Sequence, residues 1–176
     1  MRSHKKILKM ALASLFLALA YIMPFLTGQI PEIGSMLCPM HIPVLLCGFI
    51  CGPYWGLAVG FTAPLLRSLI LGMPTPFPTA VCMAFELCVY GAVAGFIYNR
   101  LGRKKSSVFV SLLISMIAGR IVWGVAMLIC TGINGTGFGF PAFIAGAFTN
   151  AIPGIIIQLI LVPAIIMLLG NKIVSD

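Results

Sequence analysis

Residues 43–67 read PVLLCGFICGPYWGLAVGFTAPLLR, an apolar run in which Gly48, Gly52, Gly56 and Gly60 recur at every fourth position. Four-residue spacing places small residues on one helix face, where two backbones can approach closely, and in a bilayer that approach drives helix association. Gly52-Pro53 interrupts the run. Proline lacks an N–H and disfavours helix in the residue before it, so the stretch reads as two helices meeting at a tight turn rather than as one rod. The choice decides the topology, because one helix more or fewer moves every later loop to the other side of the membrane.

The surrounding chain is of membrane composition. Of 176 residues, 61% are hydrophobic and 8% charged, and mean hydropathy is +1.14, with charge far below the roughly one quarter usual in a soluble domain. Six apolar segments of bilayer-crossing character lie at about 7–26, 37–51, 54–72, 78–98, 107–131 and 142–169; the second is short and interrupted by Pro39 and Pro43. The run from Ile7 to Phe25 exceeds the length of a signal-peptide core and reads as a retained first helix. The formal charge of +8 does not point to nucleic acid, since the basic residues flank apolar segments instead of forming a patch on a folded surface.

Charge fixes the orientation. Nine of the eleven Lys and Arg residues (Arg2, Lys5, Lys6, Lys9, Arg100, Arg103, Lys104, Lys105 and Lys172) fall at the N-terminus, after the fourth segment or at the C-terminus. Short basic loops stay cytoplasmic, so all three places are inside. An even number of spans must then separate the N-terminus from residues 99–106, which requires 43–67 to contribute two helices and puts the Gly52-Pro53 turn inside as well. The expected fold is an all-α membrane protein of six transmembrane helices in one domain, 1–176, with both termini cytoplasmic.

Two arginines and one acid remain within the apolar segments: Arg67, Arg120 and Glu86. Each costs roughly 3 kcal/mol near a helix centre, so they are candidates for function. Counting from the outer helix ends at ~1.5 Å per residue puts Arg67 at ~7 Å, Glu86 at ~12 Å, Arg120 at ~16 Å and Asn150 at ~12 Å, a polar floor in the outer half of the bundle. Glu86 can pair with one arginine as a buried structural ion pair, which leaves the other guanidinium in need of a ligand, water or carbonyls. A carboxylate accepts from guanidinium bidentately, and an anionic or strongly hydrogen-bonding ligand is therefore expected. His41, in PMHIP at the outer mouth of the second segment, and Tyr90, one turn from Glu86, are further candidates, with interfacial and packing roles as their plain alternatives. Gly132, Gly135, Gly137 and Gly139 would make the last outer loop pliable.

Other chemistry is not indicated. The six cysteines lie in or beside apolar segments without C-x-x-C spacing, so they read as small hydrophobes, and no metal or other cofactor is expected. Paired carboxylates, a nucleophile elbow and a phosphate-cradling loop are all missing, so no catalytic residues are assigned and active transport would have to borrow its energy. Ser14 and Ala18 in the first segment form a second small-residue pair, suited to packing within the chain or to docking another membrane subunit.

Taken together, six short helices with both ends inside, the Ser14/Ala18 pair and P-x-L-L-x-G-x-x-x-G-P-x-x-G-x-x-x-G across 43–60 resemble the substrate-binding S components of energy-coupling factor (ECF) transporters, bacterial vitamin importers. The resemblance covers nearly the whole chain, and PMHIP (39–43), APLLR (63–67) and FPTAVCMAFE (77–86) are most similar to the pantothenate-type branch. It implies a multi-pass protein of the bacterial cell membrane, a T component and two cytoplasmic ATPases as partners, and a site near the outer face. It also implies import by toppling of the S component within the bilayer. The family's helix-1 motif is usually Ala-x-x-x-Ala, where Ser14 stands here for the first alanine. On this reading Arg67, Glu86, Arg120, Asn150, His41 and Tyr90 bind substrate, while Ser14, Ala18, Gly48, Gly52, Gly56 and Gly60 serve partner docking, the glycines by packing a hairpin against helix 1 or the T component. Pantothenate is the first candidate because the intramembrane charge sums to +1, with a queuosine precursor or cobalamin as alternatives. A stand-alone secondary transporter or channel is the rival class, for which no internal repeat speaks. An intramembrane enzyme is the weaker third.

Overall fold

Among the residues it describes, 2–27, 37–133 and 152–173, the computed structural model forms six α-helices. They are α1 (Arg2–Ile22), α2 (His41–Cys51), α3 (Pro53–Leu71), α4 (Val81–Arg100), α5 (Lys105–Ile133) and α6 (Ile152–Ile173). A 3₁₀ turn over Met23–Thr27 prolongs α1, and a π-turn over Pro76–Ala80 leads into α4. No strand occurs among the described residues.

Gly52 is the whole connection between α2 and α3. Its φ of 104° and ψ of 173° lie where only glycine is comfortable, and Pro53 then takes the first helical position, where its missing N–H costs nothing. The expected tight turn is there, and the two helices fold back on each other: a Cβ built on Gly56 would lie 2.7 Å from the Cα of Gly48.

Side-chain and backbone contacts give the direction of the other helices. His41 at the start of α2 meets Tyr90 of α4, while Gly48 further along α2 meets Gly91 and Gly95 further along α4, so these two helices run parallel. Gly60 meets Leu87 and Pro53 meets Gly95, which makes α3 antiparallel to α4. Lys9 of α1 lies within electrostatic reach of Cys51, and Arg67 near the end of α3 reaches the end of α1. The start of α1, the Gly52 turn and the 101–104 turn thus share one end of the bundle. That arrangement agrees with the parity argument from charge, since Lys5, Lys6, Lys9, Arg103, Lys104 and Lys105 gather there.

The glycine stripe has a different partner from the one expected. Gly48, Gly56 and Gly60 do not face α1; they press on the backbone of α4, with Gly48 and Gly56 on Gly91 and Gly60 on Leu87. A Cβ on Gly56 would sit 2.6 Å from the Gly91 carbonyl oxygen, closer than real Cβ contacts come. These glycines are therefore used up inside the chain, and the matching pair Gly91 and Gly95 on α4 completes the seam.

Among the described residues, five stretches are long and apolar enough to cross a membrane: His4–Phe25, Pro53–Leu71, Pro76–Arg100, Lys105–Gly132 and Ile152–Leu169. The second expected span, 37–51, is different in kind. The 11 residues of α2 are all buried, and at ~1.5 Å per residue the helix covers only about half of a ~30 Å hydrocarbon layer. Its apolar character serves the core, where Val44, Leu45 and Cys47 are completely enclosed. The outer surfaces of the longer helices carry exposed Leu69, Ile70, Ile117, Leu128 and Ile160, as lipid contact requires. The chain is a multi-pass membrane protein built around a short central helix.

Candidate functional site

The start of α2 is set by its prolines and by one strained residue. Cys38 has a φ of 47°, in the left-handed region that a non-glycine residue enters only at a cost, and the turn it makes lets its carbonyl accept from the His41 N–H at 3.1 Å. Pro43 falls in the first turn of α2, where no intrahelical N–H is required. The result brings Cys38 and His41 to the middle of a polar cluster shared with α4 and α5.

Glu86 is at its centre. Its Oε1 lies 3.0 Å from a terminal guanidinium nitrogen of Arg120 and 3.4 Å from Nε2 of His41. A second guanidinium nitrogen of Arg120 donates to the Cys38 thiol sulfur at 3.7 Å. The His41 and Tyr90 rings meet edge to face with centroids 5.0 Å apart. Gly119, just before Arg120, makes room for the Tyr90 ring: any Cβ there would collide with it. Glu86 also lies beside the N-terminal residue of α2, where a helix's partial positive charge favours a carboxylate. All of these side chains are buried, Glu86 to 2% exposure and Tyr90 to 0%.

The cluster is paired in charge and unfinished in hydrogen bonding. Both ring nitrogens of His41, Oε1 of Glu86, the Tyr90 hydroxyl and Nε of Arg120 are buried without a hydrogen bond, the Glu86–Arg120 contact being close but misaligned. Burying polar atoms is costly, and their concentration in one place makes this cluster the candidate site.

Arg67 stands apart from this group. It donates to the Tyr21 carbonyl at 2.8 Å, and its guanidinium carbon lies 5.2 Å from the centroid of the Phe25 ring. The arginine that the sequence leaves without a partner is thus held by a free carbonyl at the end of α1 and by an aromatic face, the sort of compensation that removes its need for an anion. Its neighbour Ser68 donates to the Pro74 carbonyl at 2.7 Å, tying the turn after α3 in the same way. Asn150 lies outside the described residues, as do Gly135, Gly137 and Gly139. Phe85 is exposed and meets Phe61 edge to face, with centroids 6.0 Å apart, away from the cluster.

Two polar residues escaped the sequence reading. Cys38 was grouped with the apolar cysteines although it sits next to PMHIP, and Gln158 on α6 is 1% exposed with an unpartnered carbonyl oxygen. An intramembrane amide in an otherwise aliphatic run, IPGIIIQLILV, was the available signal.

The small-residue pair on α1 faces outward: Ser14 and Ala18 are exposed, whereas Ala13 and Ala20 turn into the core. The Ser14 hydroxyl donates back to the Met10 carbonyl at 3.0 Å, leaving a smooth face. The pair itself lines a shallow apolar groove of about 320 Å³ between α1 and α3, with Tyr21, Ala63, Leu66 and Ile70 also on its walls.

A protein-family model described as ECF transporter, substrate-specific component, matches residues 8–166. No curated protein and no solved structure gives a significant match.

Proposed function

We propose that this chain, which belongs to the ECF transporter substrate-specific components, captures a small water-soluble vitamin or related nutrient in the cluster of Glu86, Arg120, His41 and Tyr90. The chain is a transporter subunit and not an enzyme. The observation that carries the reading is the set of buried, unpartnered polar atoms on α2, α4 and α5, in the half of the bundle toward the end opposite the basic residues. In a bacterial cell membrane with the basic end inside, that end faces out, where a nutrient arrives. Asn150, ~12 Å into the sixth apolar segment by sequence, is a further candidate for the same site, and Arg67 supports it by fixing the ends of α1 and α3.

Uptake then needs a T component and two cytoplasmic ATPases, the partners that work with this family. The face of Ser14 and Ala18, with the groove it lines, is the docking surface we assign on this chain. Gly48, Gly52, Gly56 and Gly60 act on docking only indirectly, by holding the hairpin behind it. Pantothenate, a queuosine precursor and cobalamin remain the named candidates for the ligand.

Mass spectrometry of small molecules released from the purified protein tests the capture reading, with a vitamin-like compound as the expected result. An Ala18→Trp variant tests the docking face: ligand capture should be unchanged while uptake in cells expressing the whole transporter falls to background. Transport by the isolated chain in liposomes would instead establish the stand-alone rival.

A further inference from the structure

The buried charges cancel, and this restricts what a ligand can bring to the capture site on which the present inference rests. Arg120 is matched by Glu86 at 3.0 Å, and Arg67 is held by the Tyr21 carbonyl at 2.8 Å and by the Phe25 ring. Neither buried guanidinium is spare. A carboxylate approaching Arg120 meets Glu86 already in place, like charge against like. The +1 that favours an anion in the sequence belongs to Arg67, outside the cluster.

What the cluster leaves open is hydrogen bonding of both senses. Nε of Arg120 can donate, Oε1 of Glu86 can accept, the Tyr90 hydroxyl can do either, and a neutral His41 ring has one donor and one acceptor. We propose that the ligand meets the Glu86–Arg120 pair with an uncharged edge carrying an N–H donor beside a carbonyl acceptor, as a lactam or primary amide does. Its N–H donates to Glu86 and its carbonyl accepts from Arg120, so both bonds are charge-assisted and the ion pair stays intact. A carboxylate satisfies only the Arg120 half and is repelled by the other. Tyr90 and His41 then meet the polar groups next to that edge.

Ligand choice by the purified wild-type protein tests this, using isothermal titration with matched acids and primary amides that carry no other amide-type edge: nicotinate against nicotinamide, and benzoate against benzamide. In any pair that binds, the uncharged member should bind at least about tenfold more tightly, the scale of one hydrogen bond to a charged group. Glu86→Gln should shrink or invert that ratio, because it frees Arg120 for an acid. Equal affinities, or an acid that binds more tightly to the wild type, overturn the proposal. If none of the four binds, the compound released on denaturing the protein decides by its own structure: an amide-type edge supports the proposal, and a carboxylate as its only polar group overturns it. If nothing binds and nothing is released, the capture reading falls and the inference with it.

Discussion

On two different faces of α4, regions less than 10 Å apart by helix rise are built in opposite ways. At Gly91 and Gly95 the helix has no side chains, and the backbones of α2 and α3 come so close that an added Cβ would overlap a carbonyl. At Glu86 and Tyr90, toward the start of the helix, it carries large polar groups whose hydrogen-bonding capacity is left partly unused. The seam is saturated: every atom has its contact and nothing can enter. The cluster is unsaturated within rigid walls, which is what preorganisation for a ligand requires. The closeness of the two is instructive, because orphaned buried polar atoms destabilise the helices that hold them, and the dry, interlocked seam beside them supplies the stability to keep them in place.

Filling the seam should have the largest effect. Gly91→Leu puts a branched side chain where α2, α3 and α4 touch backbone to backbone, and no rotamer escapes the Gly56 carbonyl. Overpacking by single methylene groups in a packed core already costs ~1–3 kcal/mol, so the expected outcome is loss of monodisperse protein in detergent, scored by size-exclusion chromatography. A well-behaved Gly91→Leu protein would mean that the seam is not the rigid half of the comparison.

Next comes Glu86→Gln, which attacks the cluster through its charge. It leaves Arg120 buried without its counter-ion, and breaking a buried pair from one side costs ~3–5 kcal/mol. Thermal unfolding should show a marked drop, and adding Arg120→Gln should recover much of it, since the double variant buries no charge. Recovery separates an ion pair from a packing defect; absence of recovery would show that Glu86 holds the fold by its shape.

Much of this architecture could be read before any coordinates, because it rests on strong local rules. Gly52-Pro53 had to be a turn, and the basic residues had to share one end. Pairing of Glu86 with one arginine followed from the cost of burying a lone charge. What escaped was three-dimensional choice. The sequence could not say that Arg120 rather than Arg67 would reach Glu86, because Arg67 finds the Tyr21 carbonyl through a contact 46 residues away in the chain. It could not say that the stripe of Gly48, Gly56 and Gly60 would face α4 rather than α1, although Gly91-x-x-x-Gly95 carried the complementary signal. Nor did apolar length reveal that α2 is enclosed by protein, since a core helix and a lipid-facing one share the same hydropathy.

The smallest effect is expected at Tyr90, and there the two regions should separate most cleanly. Its hydroxyl is buried without a hydrogen bond, so removing it in Tyr90→Phe takes away an unsatisfied group while leaving the ring against His41 and Gly119. Deleting an unpaired buried polar atom is near neutral or mildly stabilising, and thermal unfolding of the free protein should be unchanged or slightly raised. If the hydroxyl meets the ligand, capture should weaken by roughly 1 kcal/mol, about fivefold, the net worth of one neutral hydrogen bond. Stability and affinity would then move in opposite directions, which no seam variant can produce, because every atom of the seam already has its contact. A Tyr90→Phe protein that binds as tightly as the wild type but unfolds more easily would place the hydroxyl with the packing and narrow the site to Glu86, Arg120 and His41.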